Sequence, residues 1–302
     1  MLNQLEERIH IGPAGWDYPD WDGVFYPPRS RRFDALAFVA SYFTLVEINS
    51  TFYRVPPPHL TRRWAERVAS RPHFMFTLKA HRSLTHEGRN TAPTELPALR
   101  NAIDPLVDAN RLGAVLLQFP WSFRFDEDAR RVLSARVRDL HPYPLAVEVR
   151  HASWEQPDAA QFLASLDVTV CGIDQPVIGE SIPPYHYRAG PAGTYFRLHG
   201  RNYRNWFAAG AGRDARYDYL YSPEELSPWA GVIRSAAETT AAYVVLNNHF
   251  RGQAPANAFE LAFQLFGRKL PAPERLRQAI PRLADSTVAR TGTESAPGLF
   301  DG

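Results

Sequence analysis

Short apolar runs alternate with longer amphipathic stretches along most of the chain, and this alternation constrains the fold more than any other feature of the sequence. Brief apolar runs bounded by turn formers read as strands, whereas apolar positions recurring every three to four residues read as helices. The strand pattern falls at residues 9–12, 45–48, 74–78, 114–118, 145–149, 168–173, 195–198 and 243–246. Helical pattern falls at residues 35–42, 60–69, 99–109, 126–140, 159–166, 224–239 and 258–266. Eight strands in this alternation predict an α/β protein built as a single (β/α)8 TIM barrel, because a parallel sheet buried on both faces loses its edges only by closing.

Two connections depart from the regular unit. Residues 175–193 are rich in Pro and Gly without helical period, so the sixth βα unit is expected to be irregular. Residues 200–222, after the seventh strand, form a long loop of aromatics, Gly and Arg, a length that usually carries function. From residue 268 the apolar period fades, which predicts a barrel domain over 1–267 and a C-terminal extension over 268–302 that is largely a mobile tail.

A chain of 302 residues that is 45% hydrophobic can bury a large core, and 34 Lys+Arg against 32 Asp+Glu leave a formal charge of +2, too little to argue for nucleic acid by bulk electrostatics. Cys171 is alone and stands among Val168, Val170 and Ile173, which places it in a buried strand rather than at a catalytic thiol site. The start of the chain lacks the apolar core of a signal peptide, and no apolar stretch has spanning length, so a cytoplasmic protein without a membrane partner is expected. No glycine-rich dinucleotide or phosphate loop follows a strand, which disfavours nicotinamide and ATP.

In a barrel the site lies at the C-terminal ends of the strands, where this chain concentrates polar residues. Glu47, Asn49 and Tyr53 belong to the second strand end, Lys79 and His86 to the third and Gln118 to the fourth. Glu148, Arg150 and Trp154 follow at the fifth, Asp174 at the sixth, Arg197 and His199 at the seventh, and Asn247 and Asn248 at the eighth, with Trp16 after the first. Period-two alternation puts Glu148 with Arg150, and Arg197 with His199, on one face each, aimed into the barrel mouth because charge facing the helix layer is costly. The candidate catalytic groups are Glu47, Glu148, Asp174 and His199, which would also be the ligands of a divalent metal. Lys79, Arg150 and Arg197 suit a phosphate, and Trp16, Asn49, Tyr53, His86, Gln118, Trp154, Asn247 and Asn248 complete a substrate wall. The plainer alternative is a buried ion-pair lattice without chemistry.

Several motifs in one order resemble a known family. They include Gly12-Pro13-Ala14-Gly15-Trp16, Glu47-Ile48-Asn49-Ser50-Thr51-Phe52-Tyr53, Leu117-Gln118-Phe119-Pro120, Val147-Glu148-Val149-Arg150-His151, Arg197-Leu198-His199-Gly200-Arg201 and Asn247-Asn248. On these the chain is identified as a member of the DUF72, or YecE-like, family, and the resemblance implies a TIM barrel without an established activity. The family is similar at fold level to barrel enzymes that act on phosphoesters or sugars, such as endonuclease IV and xylose isomerase, whose strand ends bind divalent metals. Arg150 and Arg197 depart from that pattern, since they compete with a cation for the carboxylates.

The leading expectation is a hydrolase of phosphodiesterase type acting on a phosphate-bearing nucleic acid or nucleotide, with a carboxylate activating water directly or through a metal. One alternative is a carbohydrate-active enzyme using paired carboxylates. Another is a non-catalytic nucleic-acid-binding protein using the basic, aromatic loop from Arg201 to Arg216. Leu299 and Phe300 near the end of the chain resemble a sliding-clamp docking peptide, which would place the protein in DNA maintenance.

Overall fold

The computed structural model describes residues 2–87, 94–206, 208 and 213–290. The strands are β1 Ile9–Pro13, β2 Leu45–Ile48, β3 Met75–Lys79, β4 Leu112–Gln118, β5 Leu145–Glu148, β6 Thr169–Val170, β7 Gly172–Asp174, β8 Thr194–Leu198, β9 Ala242–Leu246, β10 Leu270–Ala272 and β11 Thr287–Ala289. The helices are α1 Leu2–Arg8, α2 Ala35–Ala40, α3 Pro58–Arg67, α4 Arg82–Thr85, α5 Leu96–Asp108, α6 Glu127–Leu140, α7 Pro157–Ser165, α8 Arg213–Arg216, α9 Pro223–Ala237, α10 Gln253–Phe266 and α11 Glu274–Ala279. All strand pairs in these sheets are parallel. The expected eight runs all form strands, except that the sixth is split around Cys171 into β6 and β7.

The ladders make two principal sheets, β2-β3-β4-β5-β6 and β1-β9-β8-β7, so the ring expected from the eight runs is not closed by continuous pairing. Between β1 and β2 there is one bridge, Ala14 to Glu47, flanked by Thr44 N–H donating to the Ile11 carbonyl at 3.3 Å. Gly12 sits where these strands cross, and a Cβ there would lie 1.8 Å from the Leu45 carbonyl oxygen, so only glycine allows the approach.

Helix starts follow local chemistry. Asp126 accepts from Ala129 N–H at 2.7 Å to begin α6, and Ser222 with Glu225 forms a capping box ahead of α9. As the sequence predicts, no helix occupies 175–193. The expectation of a tail from residue 268 needs correction over 268–290. These residues form β10, α11 and β11, and bury Leu270, Ala272, Leu276 and Leu283. The cause is visible in α10, whose residues 254–262 are all buried, so that the extension covers a side that the rest of the fold leaves open. Arg282 ties the cover down, donating from Nε to Glu260 Oε1 at 2.7 Å. Leu299 and Phe300 lie outside the described residues.

Candidate functional site

Beneath the C-terminal strand ends, Arg197 of β8 joins the two sheets. Its Nε and Nη2 donate to the Glu47 carboxylate of β2 at 2.9 and 2.7 Å, and its Nη1 donates to Glu148 Oε2 of β5 at 2.5 Å. Tyr195 donates to Glu47 Oε2 at 2.8 Å. The other Glu148 oxygen faces Arg150, with Nε at 2.7 Å and Nη2 at 2.6 Å. Both carboxylates are fully buried. Burial pushes the Glu148 carboxyl up, but Arg197 and Arg150 outweigh it and hold the group well below the usual carboxylate range. Two carboxylates against two guanidinium groups leave the lattice neutral.

His199 is buried beside it. Asn247 Nδ2 lies 2.9 Å from His199 Nδ1, and Nε2 faces Glu148 Oε1 at 3.4 Å, Arg150 Nη2 at 3.4 Å and Arg197 Nη1 at 3.5 Å. Burial lowers its pKa to about 3, against the pull of Glu148, so the ring is uncharged at neutral pH.

Above the lattice opens a cavity of about 510 Å³ lined by Phe52, Tyr53, Lys79, His86, Gln118, Pro120, Trp121, Arg150, Gln175, Trp206, Arg216 and Tyr217. A smaller space of about 90 Å³, sharing Phe52, Tyr53, Lys79, Gln118, Arg150 and Tyr217, leads down past Asn49 and Asn247 to Arg197. Neither lining contains a carboxylate among the described residues. The turn after β2 builds one wall: Thr51 Oγ1 donates to the Lys79 carbonyl at 2.6 Å, which sets the Phe52 ring 3.8 Å from Lys79 Nζ. The loop after β8 builds another, with Trp206 buried and the Arg150 guanidinium 5.8 Å over its ring.

Lys79 Nζ has no hydrogen-bond or ion-pair partner among the described residues, because the two nearby carboxylates are already engaged by arginines. Burial, then the charges of Arg197 and Arg150, lower its pKa to about 7, with Glu148 and Glu47 pulling the other way. His86 is lowered to about 4 by burial and then by Lys79 and Arg150, so it meets a ligand as a neutral ring. Two amide oxygens, Gln175 Oε1 on the cavity and Asn49 Oδ1 on the smaller space, are buried without a hydrogen-bond partner among the described residues.

The structure thus gathers Glu47, Glu148, Arg150, Arg197, His199 and Asn247 in or against the lattice, and Asn49, Tyr53, Lys79, His86 and Gln118 around the cavity. It separates four others. Asp174 accepts from Arg201 Nε and Nη2 at 2.8 and 2.6 Å, from Tyr221 at 2.9 Å and from Trp229 Nε1 at 2.6 Å, and lines neither space. Trp154 is buried, donating to the Phe123 carbonyl and stacking on the Phe123 ring. Trp16 packs edge-on against Trp64, and Asn248 donates to Tyr219 O and to Asn257 Oδ1, each at 2.8 Å.

The four residues expected as metal ligands therefore do not converge, and among the described residues no cluster of three or more His, Cys, Asp or Glu is arranged to hold a metal. Arg201, expected in a nucleic-acid loop, turns inward to Asp174. Gln175 and Tyr217 carry no such mark in the sequence, whereas Arg216, the end of the expected nucleic-acid-binding loop, lines the cavity. One readable signal marks the centre of the cavity: the 34 basic residues comprise two lysines, Lys79 and Lys269, and 32 arginines.

Comparison with known proteins places this geometry in context. A family model described as a protein of unknown function, DUF72, matches residues 10–280. The chain is 29% identical over 269 residues to the UPF0759 protein YunF of Bacillus subtilis, covering 84% of this chain and 93% of that one. It is 28% identical over 155 residues to the UPF0759 protein YecE of Escherichia coli, covering 47% and 48%. The crystal structure of the DUF72 family protein TM1631 from Thermotoga maritima superposes with a TM-score of 0.70 at 34% identity, covering 85% of this chain and 97% of that one. That of EF0366 from Enterococcus faecalis gives 0.73 at 25%, covering 85% and 95%.

Proposed function

This chain belongs to the DUF72 family, whose description assigns no activity, and we propose from the site itself that the protein is an enzyme acting on a phosphate-bearing small molecule such as a nucleotide or sugar phosphate. The observation that carries this reading is the composition of the cavity: Lys79, Arg150 and Arg216 line it, and no carboxylate does among the described residues. The exposed Arg216 guanidinium takes the phosphate, with Arg150 Nη1, the nitrogen not paired with Glu148, and Lys79 beside it. Trp121, Trp206 and Tyr217 give flat faces for a base or sugar ring, and a volume near 510 Å³ suits a ligand of that size.

Phosphoester hydrolysis with a carboxylate base loses its support, since Glu47 and Glu148 are buried and committed to arginines. The same commitment weighs against the glycosidase alternative, whose two carboxylates must flank a glycosidic bond. Proton transfer falls instead to Lys79, whose pKa burial and the neighbouring arginines lower to about 7. The reading also takes the two sheets as halves of one barrel. The Ala14–Glu47 bridge and the single residue Cys171 between β6 and β7 support this. A cytoplasmic setting is part of it, in keeping with a free buried thiol, and among the described residues no helix is long and apolar enough to cross a membrane.

The test is a tryptophan-fluorescence titration with ribose 5-phosphate, adenosine monophosphate and ribose. Trp121 and Trp206 report occupancy. Saturable signal with the phosphorylated ligands, weakened about tenfold or more in Arg216→Ala, is the expected result. Equal response to ribose, or none to any ligand, defeats the proposal.

A further inference from the structure

We propose that Lys79 is a nucleophile, and that the ligand of this cavity is a phosphorylated hydroxy-carbonyl compound which the Lys79 amine captures as an imine. The inference rests on the phosphate site proposed above and narrows its ligand.

Three independent features of the cavity converge on it. First, the chain meets nearly every need for positive charge with arginine, and keeps lysine at two positions only. A guanidinium cannot lose its proton, whereas an amine can, so a lysine at the cavity centre supplies something that an arginine does not. Second, Lys79 Nζ faces the cavity without a hydrogen-bond or ion-pair partner among the described residues, and Arg197 and Arg150 hold the nearby carboxylates that would otherwise keep it charged. Neighbouring cations and burial are the conditions that activate an amine, and the pKa near 7 agrees with them. Third, Gln175 Oε1 on the cavity and Asn49 Oδ1 on the smaller space below it are buried acceptors without donors among the described residues. A hydroxylated ligand satisfies them, which removes an energetic penalty that an apolar or purely anionic ligand leaves in place.

The chemistry closes without a further reagent. The Nζ lone pair attacks the carbonyl carbon, and the C–O π pair moves onto oxygen, which takes up the proton that nitrogen releases. The carbinolamine then loses its hydroxyl with a second proton as water, leaving a C=N bond to Lys79. His86, a neutral ring on the same lining, is the candidate carrier of that proton.

Borohydride trapping tests the step. The wild-type protein is incubated with dihydroxyacetone phosphate or with dihydroxyacetone, reduced, digested and mapped by mass spectrometry. The expected adduct sits on the Lys79 peptide, forms at least about tenfold less with the unphosphorylated ketone, and rises about tenfold between about pH 6 and about pH 8. Lys269→Arg should label as wild type, and Lys79→Arg should not label at that site while keeping a folded spectrum. An adduct spread over Lys269 and the N-terminal amine, or indifferent to the phosphate, overturns the proposal. If dihydroxyacetone phosphate changes the tryptophan fluorescence but leaves no adduct, the imine fails and the phosphate site stands. If neither signal appears, both fail.

Discussion

Arg197 and Lys79 are both basic residues at the C-terminal ends of strands, yet the fold treats them oppositely. Each of the three guanidinium nitrogens of Arg197 meets a carboxylate oxygen, and the group is fully buried. Lys79 meets none, and an aromatic ring stands beside its amine. The first arrangement satisfies charge and joins two sheets, and the second leaves a titratable group exposed to whatever enters the cavity. A half-buried amine left without a protein partner among the described residues costs stability while it is charged, and such a cost is retained where a ligand relieves it.

Four substitutions sharpen or break this contrast. Arg197→Met should be the most damaging, because it leaves Glu47 and Glu148 buried with their principal cation gone. A loss of about 3–5 kcal/mol is expected in denaturant unfolding, and a variant that unfolds like the wild type would mean that the lattice does not hold the sheets. Asp174→Asn strands part of the Arg201, Tyr221 and Trp229 donor set, and should cost about 2–3 kcal/mol while leaving phosphate binding intact. Loss of binding at unchanged stability would restore Asp174 to the site.

Lys79→Met should do the reverse and stabilise the protein. The folded pKa near 7 lies below the ordinary value of 10.5, so the folded state is penalised fully below pH 7, and the penalty fades as pH rises toward 10.5. A gain on the order of 2 kcal/mol at about pH 6, shrinking toward about pH 10, is expected. A loss at both pH values would show that Lys79 is structural. Arg216→Ala, at an exposed position, should change stability by less than about 0.5 kcal/mol and act on ligand affinity alone.

Acid adds a pH window that belongs to the lattice. His199 has a folded pKa near 3 against an ordinary 6.5, so its contribution is fully present above pH 6.5 and is lost as pH falls toward 3. Denaturant unfolding followed from about pH 7 to about pH 4 should therefore show declining stability, less steeply in His199→Gln.

Much of this was legible in the sequence. The strand and helix periods placed every strand of the two principal sheets and seven of the eleven described helices, and period-two alternation put Glu148 with Arg150 and Arg197 with His199, as their contacts have it. The same rule also held the answer for Asp174. Cys171 and Ile173 occupy one face of their strand, so Asp174 takes the opposite face, against Trp229 of α9. What it could not show is that four donors from three distant segments would make burial on that face affordable. Pairing of the carboxylates was hidden for a related reason, since strand register alone decides that a guanidinium from β8 reaches both Glu47 and Glu148. The extension over 268–290 escaped because its few apolar residues are spaced by Pro and Arg, and make sense only against the side of α10 that the extension itself covers.

The most direct test is the titration of Lys79 itself. Lysine labelled with ¹³C at Cε gives signals from two residues only, and Lys269→Arg assigns them. The account predicts that the Lys79 resonance titrates with a midpoint near 7 and shifts when dihydroxyacetone phosphate is added. A midpoint near the ordinary lysine value of 10.5, unmoved by that ligand, would contradict it.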